Sequence, residues 1–460
     1  MDGEHQARRR TRRYAVAGAG CLLLVALAVP RLDDLGAPER VPASRAPSSD
    51  ATGGPTGARA PAPDLTGEPT RGSLAGDRAF LDGLTTLTWT GETPVRAGDG
   101  TVLYYQPEPP PEAREVVYAG DVHGARWALV VGRTTAVPAN VPDDVVPHDE
   151  LVAAWFTGPA GAAPEQMALA SGPHGIAGDW PVALTDPRSG ALVVVAAPGD
   201  VVEVSPRPLI RADGSTEREW REVDTEDGIA VTRVSAFPRA ADGSTSYRVL
   251  RGGRTQARDL PWSIVAEDAG EPAPIAFLRG RPPELGEQAA RHSADRVLAE
   301  LGMSGAQAAV TAPWVGPVPA EGPGQAALVT VSLPSGAIVV QAQWLGPPDA
   351  DGSGTGTSCG QAILPAGPPA SRRVQAMACE VVDDTSGAPL SPHLVVVGPP
   401  EVALVRAYDD DRVFLGEHAA RDGVVVVPLP PGTDQVEAVT AGGVTLGRVD
   451  LLGHAVDFGD

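Results

Sequence analysis

The second half of this chain repeats the first in the same order, which limits the fold to one built from two related units. The segment 208–234 aligns without gaps on 403–429. The identical pairs within it are Leu209 and Leu404, Arg211 and Arg406, Ala212 and Ala407, Glu222 and Glu417, Asp227 and Asp422, Gly228 and Gly423, and Val231 and Val426. Such a run of matches in one register predicts structurally equivalent segments.

Further matches flank this segment and extend towards the front of each copy at a slowly changing offset, as loop insertions would produce. They are 192–195 with 394–397, Gly252 and Gly253 with Gly442 and Gly443, Gly124 and Ala125 with Gly336 and Ala337, Trp89 with Trp314, and Asp77 and Arg78 with Asp295 and Arg296. Chance explains any single match, but the shared order predicts a tandem duplication. We place the copies at residues 73–270 and 284–460.

The hydrophobic pattern predicts that both copies are mainly β with short helices, an α+β type of module. Each opens with a helix, clearest over 283–302, where Ala290, Ala294, Val297 and Leu298 recur at helical spacing and Gly302 supplies a stop. Strands are predicted over 116–131, 151–156, 191–204 and 229–234 in the first copy, and over 327–344, 374–382, 394–405 and 424–429 in the second. The last part of each copy resembles an immunoglobulin-like sandwich in strand spacing, an analogy of fold alone.

The start of the chain predicts a membrane anchor. Residues 1–13 carry five Arg against two carboxylates, and an apolar segment over 14–30 follows directly. Arginines beside an apolar segment stay on the cytoplasmic side, so the rest of the chain is predicted to lie outside the cytoplasm. The sixteen apolar residues before Pro30 span about 24 Å as a helix, somewhat short of a hydrocarbon core of about 30 Å. The lipid bilayer is therefore the first predicted partner, through residues 14–30.

A cleaved signal peptide remains the alternative for this segment. Ala26 and Ala28 form an A-x-A pattern after an apolar run of suitable length, and cleavage near Ala28 would release a secreted protein. Residues 31–72 are rich in Pro, Ala, Gly, Ser and Thr. This composition cannot bury enough apolar area to offset the entropy of ordering, so we predict a disordered linker there.

The charge of the chain excludes several classes of function. Its 36 basic and 58 acidic residues give a net charge of −22, and such an acidic protein repels phosphate backbones, so we expect no nucleic-acid partner. Every basic residue is Arg, because the chain contains no Lys. Mechanisms that need a P-loop lysine, a Ser/Lys pair or a Schiff-base lysine are therefore impossible.

The cysteines predict one disulfide. Cys21 lies in the apolar segment, which leaves Cys359 and Cys379 as the pair available in an oxidising compartment. Cys359 also lies within a possible nucleophile elbow, because residues 356–360 fit G-x-S-x-G. That motif needs a strand before it and a helix after it. A Gly/Ser/Asp-rich segment precedes it here and Pro365 follows, so we predict a flexible hairpin tip instead.

Histidine and aspartate offer few candidates for chemistry. No two of the 8 His have the short spacing of zinc ligands, and His123, His148 and His174 are predicted to be solvated in turns or loops. The carboxylates at 383–384 and 409–411 could bind calcium or act as an acid and base, and the sequence leaves this open. Turns favour Asp by themselves, so a structural role competes with both.

These features together predict a membrane-anchored extracytoplasmic protein that binds, senses or scaffolds without catalysis, with no cofactor or metal. The tether and the duplicated modules suit contact with an envelope protein or glycan. This layout resembles that of membrane-anchored proteins of high-GC, Gram-positive bacteria, in composition and organisation only. The alternative is a secreted or anchored cell-envelope hydrolase that uses Asp and Glu carboxylates.

Overall fold

The computed structural model describes residues 65–453, with gaps at 90–94, 97–101, 105–107, 135–150, 235–243, 265–271, 320–322, 349–353, 383–389 and 391, together with residues 456 and 458. The fold is mainly β, with 52% of the described residues in strands. Among the described residues no helix is both long and apolar enough to span a membrane. The predicted anchor at 14–30 and most of the predicted linker lie outside the described residues.

The first half contains one helix and a series of short strands. They are α1 Arg78–Thr85, β1 Val95–Arg96, β2 Val102–Tyr104, β3 Arg114–Val122, β4 Ala125–Arg133, β5 Leu151–Pro159, β6 Ala168–Ile176, β7 Val182–Asp186, β8 Ala191–Val195, β9 Val201–Ser205, β10 Pro208–Ile210, β11 Thr216–Arg218, β12 Arg221–Val223, β13 Thr225–Glu226, β14 Ile229–Arg233, β15 Ser246–Arg251, β16 Arg254–Asp259 and β17 Trp262–Ser263. Short 3-10 turns lie at Pro111–Ala113 and Pro164–Gln166.

The second half has longer elements of the same kinds. They are β18 Ile275–Phe277, α2 Glu284–Glu300, β19 Ala309–Pro317, β20 Gln325–Ser332, β21 Ile338–Pro348, β22 Gly354–Leu364, β23 Gln375–Cys379, β24 His393–Val397, β25 Val402–Tyr408, β26 Phe414–Ala419, β27 Val424–Pro428, β28 Gln435–Thr440 and β29 Thr445–Asp450, with a 3-10 turn at Ala370–Arg372. The predicted helix over 283–302 is confirmed as α2, and Gly302 follows it with φ +55°.

Each half is a stack of four layers. In the first, α1 covers the sheet β3-β4-β5-β6, whose other face packs on the sheet β13-β14-β8-β7-β17, which in turn packs on β12-β9-β15-β16. In the second, α2 covers β18-β19-β20-β21-β22, followed by β23-β24-β27 and then β26-β25-β28-β29. Every sheet among the described strands is formed within one half.

The apolar runs of the sequence arise because the inner sheets are covered on both faces. Along β5, Val152, Ala154 and Phe156 pack towards α1, while Ala153 and Trp155 pack towards the next sheet. The matched strands β8 and β24 behave alike, since every second residue of each faces one core and the others face the next core. Both strands are therefore buried on their two faces.

Strand registers show where the sequence alignment holds. Ile229 pairs with Val195 and Val424 with Val397, so the turns at Gly228 and Gly423 occupy the same place in the two halves. The match of Glu222 with Glu417 also holds. Glu222 lies in β12, which pairs with β9, and Glu417 lies in β26, which pairs with the corresponding strand β25.

Other matches are wrong. Arg211 lies in the hairpin β10–β11, whereas Arg406 lies in β25, the strand that corresponds to β9. The ungapped alignment failed there because this hairpin is an insertion. Further forward, Gly124 joins the first two strands of its antiparallel sheet, whereas Gly336 joins β20 to β21 in the middle of its sheet.

Two more front matches also fall on different elements. Trp89 follows α1 in a loop, whereas Trp314 lies within β19. Asp77 is the N-cap of α1, where its side chain accepts from the Phe80 N–H, whereas Asp295 lies in the interior of α2. These two matches are therefore chance identities in the sequence.

The inserted hairpin fixes the two halves to each other. Ile210 packs against the core beneath α2, and the Ala366 N–H donates to the Ala212 carbonyl at 2.7 Å. Gly302 at the end of α2 lies close to Ser244 of the first half. The described residues therefore form one compact unit.

The predicted linker extends too far. Leu65 is buried at 4% exposure, and its N–H donates to the Gly178 carbonyl at 2.7 Å. Arg71 forms a parallel bridge with Tyr118 at the edge of the first sheet. The folded body therefore begins by residue 65 rather than 73, because polar residues can join a sheet edge through their backbone alone.

Candidate functional site

A groove of about 780 Å³ lies where the segment before α1 meets the turn between β13 and β14. Both walls are backbone segments at the boundary between the first sheet and the sandwich behind it. The groove is lined by Glu68, Pro69, Thr70, Arg71, Gly72, Ser73, Ala75, Tyr118, Asp121, Pro198, Asp224, Thr225, Glu226, Asp227, Ile229 and Val231. Its volume is that of a site for a small molecule or a short peptide segment.

Arg71 holds the two walls together. Its side chain is 9% exposed, and Nη1 donates to the Ala196 carbonyl at 2.6 Å and to the Asp227 carbonyl at 2.9 Å. Burial lowers the pKa of the guanidinium, while the charges of Glu68 and Asp227 act in the opposite direction. The charge of Arg71 is thus used mainly within the protein, to satisfy carbonyl groups that the sheets leave unpaired.

The turn at Asp227 and Gly228 sets the shape of the groove. Both residues have positive φ, +49° and +77°, as a two-residue hairpin of type I′ requires. A Cβ at Gly228 would lie 2.5 Å from the Ala196 and Ala197 carbonyl oxygens. Only glycine fits there, so the turn closes tightly against β8 and leaves the side chain of Asp227 exposed.

Carboxylates dominate the lining. Glu68, Asp121, Asp224, Glu226 and Asp227 are all exposed, and Arg71 is the one cation among the lining residues. Asp121 pairs with Arg126 at 3.0 Å, the single ion pair that the structure gives any of these five carboxylates. Like charges gathered in a concave surface produce a focused negative potential, which attracts cations and repels anions.

Tyr118 lies at the base of the groove. It is 2% exposed, and its ring meets the edge of Trp155 at a centroid distance of 6.1 Å. The phenol oxygen lies beside Gly120 and Ser73, and Ser73 lines the groove. Within the described part of the chain this phenol forms no hydrogen bond. Burial raises its pKa, helped by the charge of Asp121, so the phenol stays protonated.

The second half contains the same framework, an arginine that donates to the carbonyls of an Asp-Gly turn and of the residue after the strand beside it, but without the carboxylates of the groove. Arg279 donates to the carbonyls of Asp422, of Gly398 at 2.8 Å and of Pro313 at 3.1 Å. Asp422 and Gly423 again have positive φ, +50° and +76°. The cavity there is only about 140 Å³, and its described lining includes Arg279 and Arg373 but no acid. The framework therefore does not require the acidic lining.

The predicted cysteine pair is found at disulfide distance, with the sulfurs of Cys359 and Cys379 separated by 2.15 Å. The pair joins β22 of the second half's helix-covered sheet to β23 of its sandwich. The neighbouring G-x-S-x-G segment is not a hairpin tip, since residues 354–364 form a strand that pairs along most of β21. A strand in this place also rules out the strand–turn–helix of a nucleophile elbow.

The described histidines differ in their environment. His123 lies in the turn between β3 and β4 and is exposed, as predicted. His174 is not a solvated loop residue, because it lies in β6, stacks on Trp262 at 4.3 Å and contacts the Ser171 hydroxyl at 3.2 Å. Burial lowers its pKa. A bulge in β6 turns its side chain towards the sandwich, which periodicity alone could not show. His148 lies outside the described residues.

The Asp run at 409–411 has a structural role. Asp409 accepts from the Val413 N–H at 2.6 Å, and the Asp410 N–H donates to Asp434 at 3.1 Å, so the carboxylates of Asp409 and Asp434 organise the turn between β25 and β26. In the part of the chain that the structure describes, no group of three or more His, Cys, Asp or Glu side chains is arranged to hold a metal ion. The pair at 383–384 lies outside the described residues.

Sequence reasoning missed the groove itself. Its carboxylates come from three separate segments, and their only local signal is the acidic run 224–227 before Gly228. Comparison with known proteins adds no assignment: the chain matches no protein-family model, and no curated protein matches it. The site is therefore interpreted from its geometry and charge.

Proposed function

We propose that this chain is a membrane-anchored extracytoplasmic binding protein without catalytic activity. Residues 14–30 hold it in the bilayer with the basic tail 1–13 in the cytoplasm, or cleavage near Ala28 releases it. The segment before residue 65 acts as a tether. The two four-layered bodies are tandem copies of one module, and each ends in an immunoglobulin-like sandwich.

The duplication is supported by the same order of layers, by the paired Asp-Gly turns and by Arg71 and Arg279, which donate to equivalent carbonyls. The sandwich assignment is supported by strand order. With β10, β11 and β13 left out of the count, the first, second and fifth strands of the sandwich form one sheet in both copies: β7, β8 and β14, and likewise β23, β24 and β27. The third, sixth and seventh strands lie side by side in the other sheet: β9, β15 and β16, and likewise β25, β28 and β29. Immunoglobulin-like folds commonly serve as binding modules, and this likeness is one of fold.

The observation that carries the binding role is the acidic groove of the first copy. Its carboxylates exceed what the framework needs, they face solvent, and the insertion β10–β11 holds the copy that contains them against its neighbour. A preformed concave site on a rigid body favours recognition, because little ordering entropy is lost when a partner binds. An envelope protein or glycan that carries positive charge suits such a site.

A reporter fused after Asp460 tests the location. The fusion is expected in the membrane fraction with an active extracytoplasmic reporter, and a soluble product that begins at Val29 would show cleavage instead. A reporter active only in the cytoplasm would overturn the proposal.

The hydrolase alternative draws on the same groove, since a carboxylate pair there could act as acid and base. Purified protein should be assayed against envelope glycans and peptides. Turnover that disappears in the variant Glu226→Gln would replace the binding role with a catalytic one.

A further inference from the structure

We propose that the acidic groove of the first copy binds an elongated organic polycation, a ligand with several ammonium or guanidinium groups. This inference rests on the proposed binding function and names its ligand class. A polyamine and a basic peptide segment present the same chemistry, and the experiment below separates them.

The first argument is that the fold does not need most of the carboxylates in the groove. Asp227 and Asp422 occupy equivalent turns of the two copies, so a carboxylate at this turn position is common to both. Glu68, Asp224 and Glu226 have no acidic counterpart among the residues lining the cavity of the second copy. Exposed like charges held close together destabilise a folded protein, and a bound cation removes that repulsion.

The second argument is the phenol of Tyr118. The residue is only 2% exposed, yet its oxygen is not among the fully buried polar atoms that lack a partner, so the phenol oxygen is accessible from the groove that Tyr118 lines. Its oxygen lies beside Ser73 in the groove, where it can accept from an ammonium or guanidinium N–H. Because burial keeps the phenol neutral, it adds a directed acceptor without adding charge.

The third argument is the spacing of the acids. Asp224 and Glu226 are two residues apart on an extended segment, which places them about 7 Å apart along the chain. Glu68 lines the groove from the other segment. A ligand with one charge would contact only one of these groups, whereas an elongated one can contact both walls. A single metal ion fits less well, because no described group of acids converges to hold one.

Binding should be measured by titration calorimetry with the whole extracytoplasmic chain. The probes are spermine, a pentalysine peptide, a pentaarginine peptide and the fully acetylated pentalysine as an uncharged control. At low salt we expect saturable binding of at least one charged probe and none of the acetylated peptide. Spermine binding without peptide binding assigns the ligand to polyamines, and the reverse assigns it to basic peptides. Raising the salt should weaken binding, because exposed charges are screened.

Two variants with the same change of charge decide whether binding is local. The groove variant combines Glu68→Gln, Asp224→Asn, Glu226→Gln and Asp227→Asn, and the control combines Glu401→Gln, Asp410→Asn, Asp411→Asn and Asp450→Asn on the exposed surface of the second copy. Each exposed pair changes affinity by about 1.5- to 5-fold, so the groove variant should bind at least about fivefold more weakly. The control should stay within about twofold of the wild type. Asn at position 227 tolerates the positive φ of that residue.

The absence of lysine allows a direct map of the site. A carbodiimide couples carboxylates to amines, and no Lys within the chain competes with a lysine peptide. We expect coupling of the lysine peptide at Glu68, Asp224, Glu226 or Asp227. The variant Tyr118→Phe removes the phenol acceptor, so it should lower the affinity for the peptide and this coupling should be lost. Coupling spread over the whole surface, or equal weakening of both four-residue variants, would show attraction by net charge alone and overturn the inference. Absence of binding by every probe, or tighter binding of calcium than of any polycation, would overturn the ligand class while leaving the anchored binding role intact.

Discussion

Replacing Gly228 by alanine should destabilise the first half far more than its small added methyl group suggests. Gly228 has φ +77°, and its Cβ would lie 2.5 Å from two backbone carbonyl oxygens. The left-handed conformation costs an L residue about 1–2 kcal/mol. Overlap with backbone atoms that cannot rotate away adds about 1–3 kcal/mol. The two contributions together give an expected loss of about 2 to 5 kcal/mol in the free energy of unfolding.

Gly253 supplies the matched control. Its φ is +75°, but a Cβ there meets nothing within 4 Å. Gly253→Ala thus carries the conformational cost alone, about 1–2 kcal/mol. The difference between the two variants measures the overlap with the carbonyls. Gly423→Ala and Gly443→Ala repeat the comparison in the second copy, where the closest carbonyl oxygen would lie 2.3 Å from the Cβ of residue 423.

Guanidinium denaturation followed by circular dichroism gives the loss of stability, and hydrogen exchange shows which copy has loosened. Gly228→Ala should lower the protection of β8 and β14 and leave β24 and β27 unchanged. If Gly228→Ala and Gly253→Ala unfold at the same denaturant concentration, the close approach of the turn to β8 is wrong. If both copies lose protection equally, the copies do not have separate cores.

Three further predictions concern the contacts between layers. Replacing Cys359 and Cys379 by Ser should destabilise the second copy by about 3 kcal/mol, because the cross-link closes a loop with a sequence separation of 20; two alkylatable thiols in the exported wild-type protein would contradict the pairing. Arg71→Met leaves two carbonyls without their donor and should cost about 2–5 kcal/mol, measured by thermal unfolding; an unchanged midpoint would show that water replaces the guanidinium. His174, whose pKa burial depresses below its unfolded value of 6.5, stabilises fully above that value and loses this contribution as the pH falls towards its lower folded pKa. The variant His174→Gln should therefore show a flatter dependence of stability on acid pH, and an unchanged slope would refute the assignment.

Local patterns were sufficient for most elements. Helix α2 follows from its apolar spacing and from Gly302, and strands such as β8 and β24 follow from runs of Val bounded by turn residues. The cysteine pair needed only the even number of thiols that follow the apolar segment at 14–30. These features depend on neighbours in sequence, so one sequence contains the information that specifies them.

The alignment of the two halves held where spacing is fixed and failed where it is not. Asp227 and Asp422 correspond because a two-residue turn tolerates no insertion. The hairpin of Arg211 broke the register, and no local pattern distinguishes an insertion from a strand of the sheet. Similarly, the polar composition of Arg71 and its neighbours predicted a linker, yet their backbone groups join a sheet edge.

The sequence by itself determined that this chain is mainly β, where its chief helix lies and which cysteines pair. Only the tertiary structure decided that each half stacks three sheets beneath a helix, that an inserted hairpin fixes one half to the other, and that carboxylates from three segments line one groove. The physical reason is the sequence separation between the residues that determine each feature. Periodicity, turns and caps are set by residues a few positions apart, whereas layer packing brings Glu68, Tyr118 and Glu226 together from distant parts of the chain.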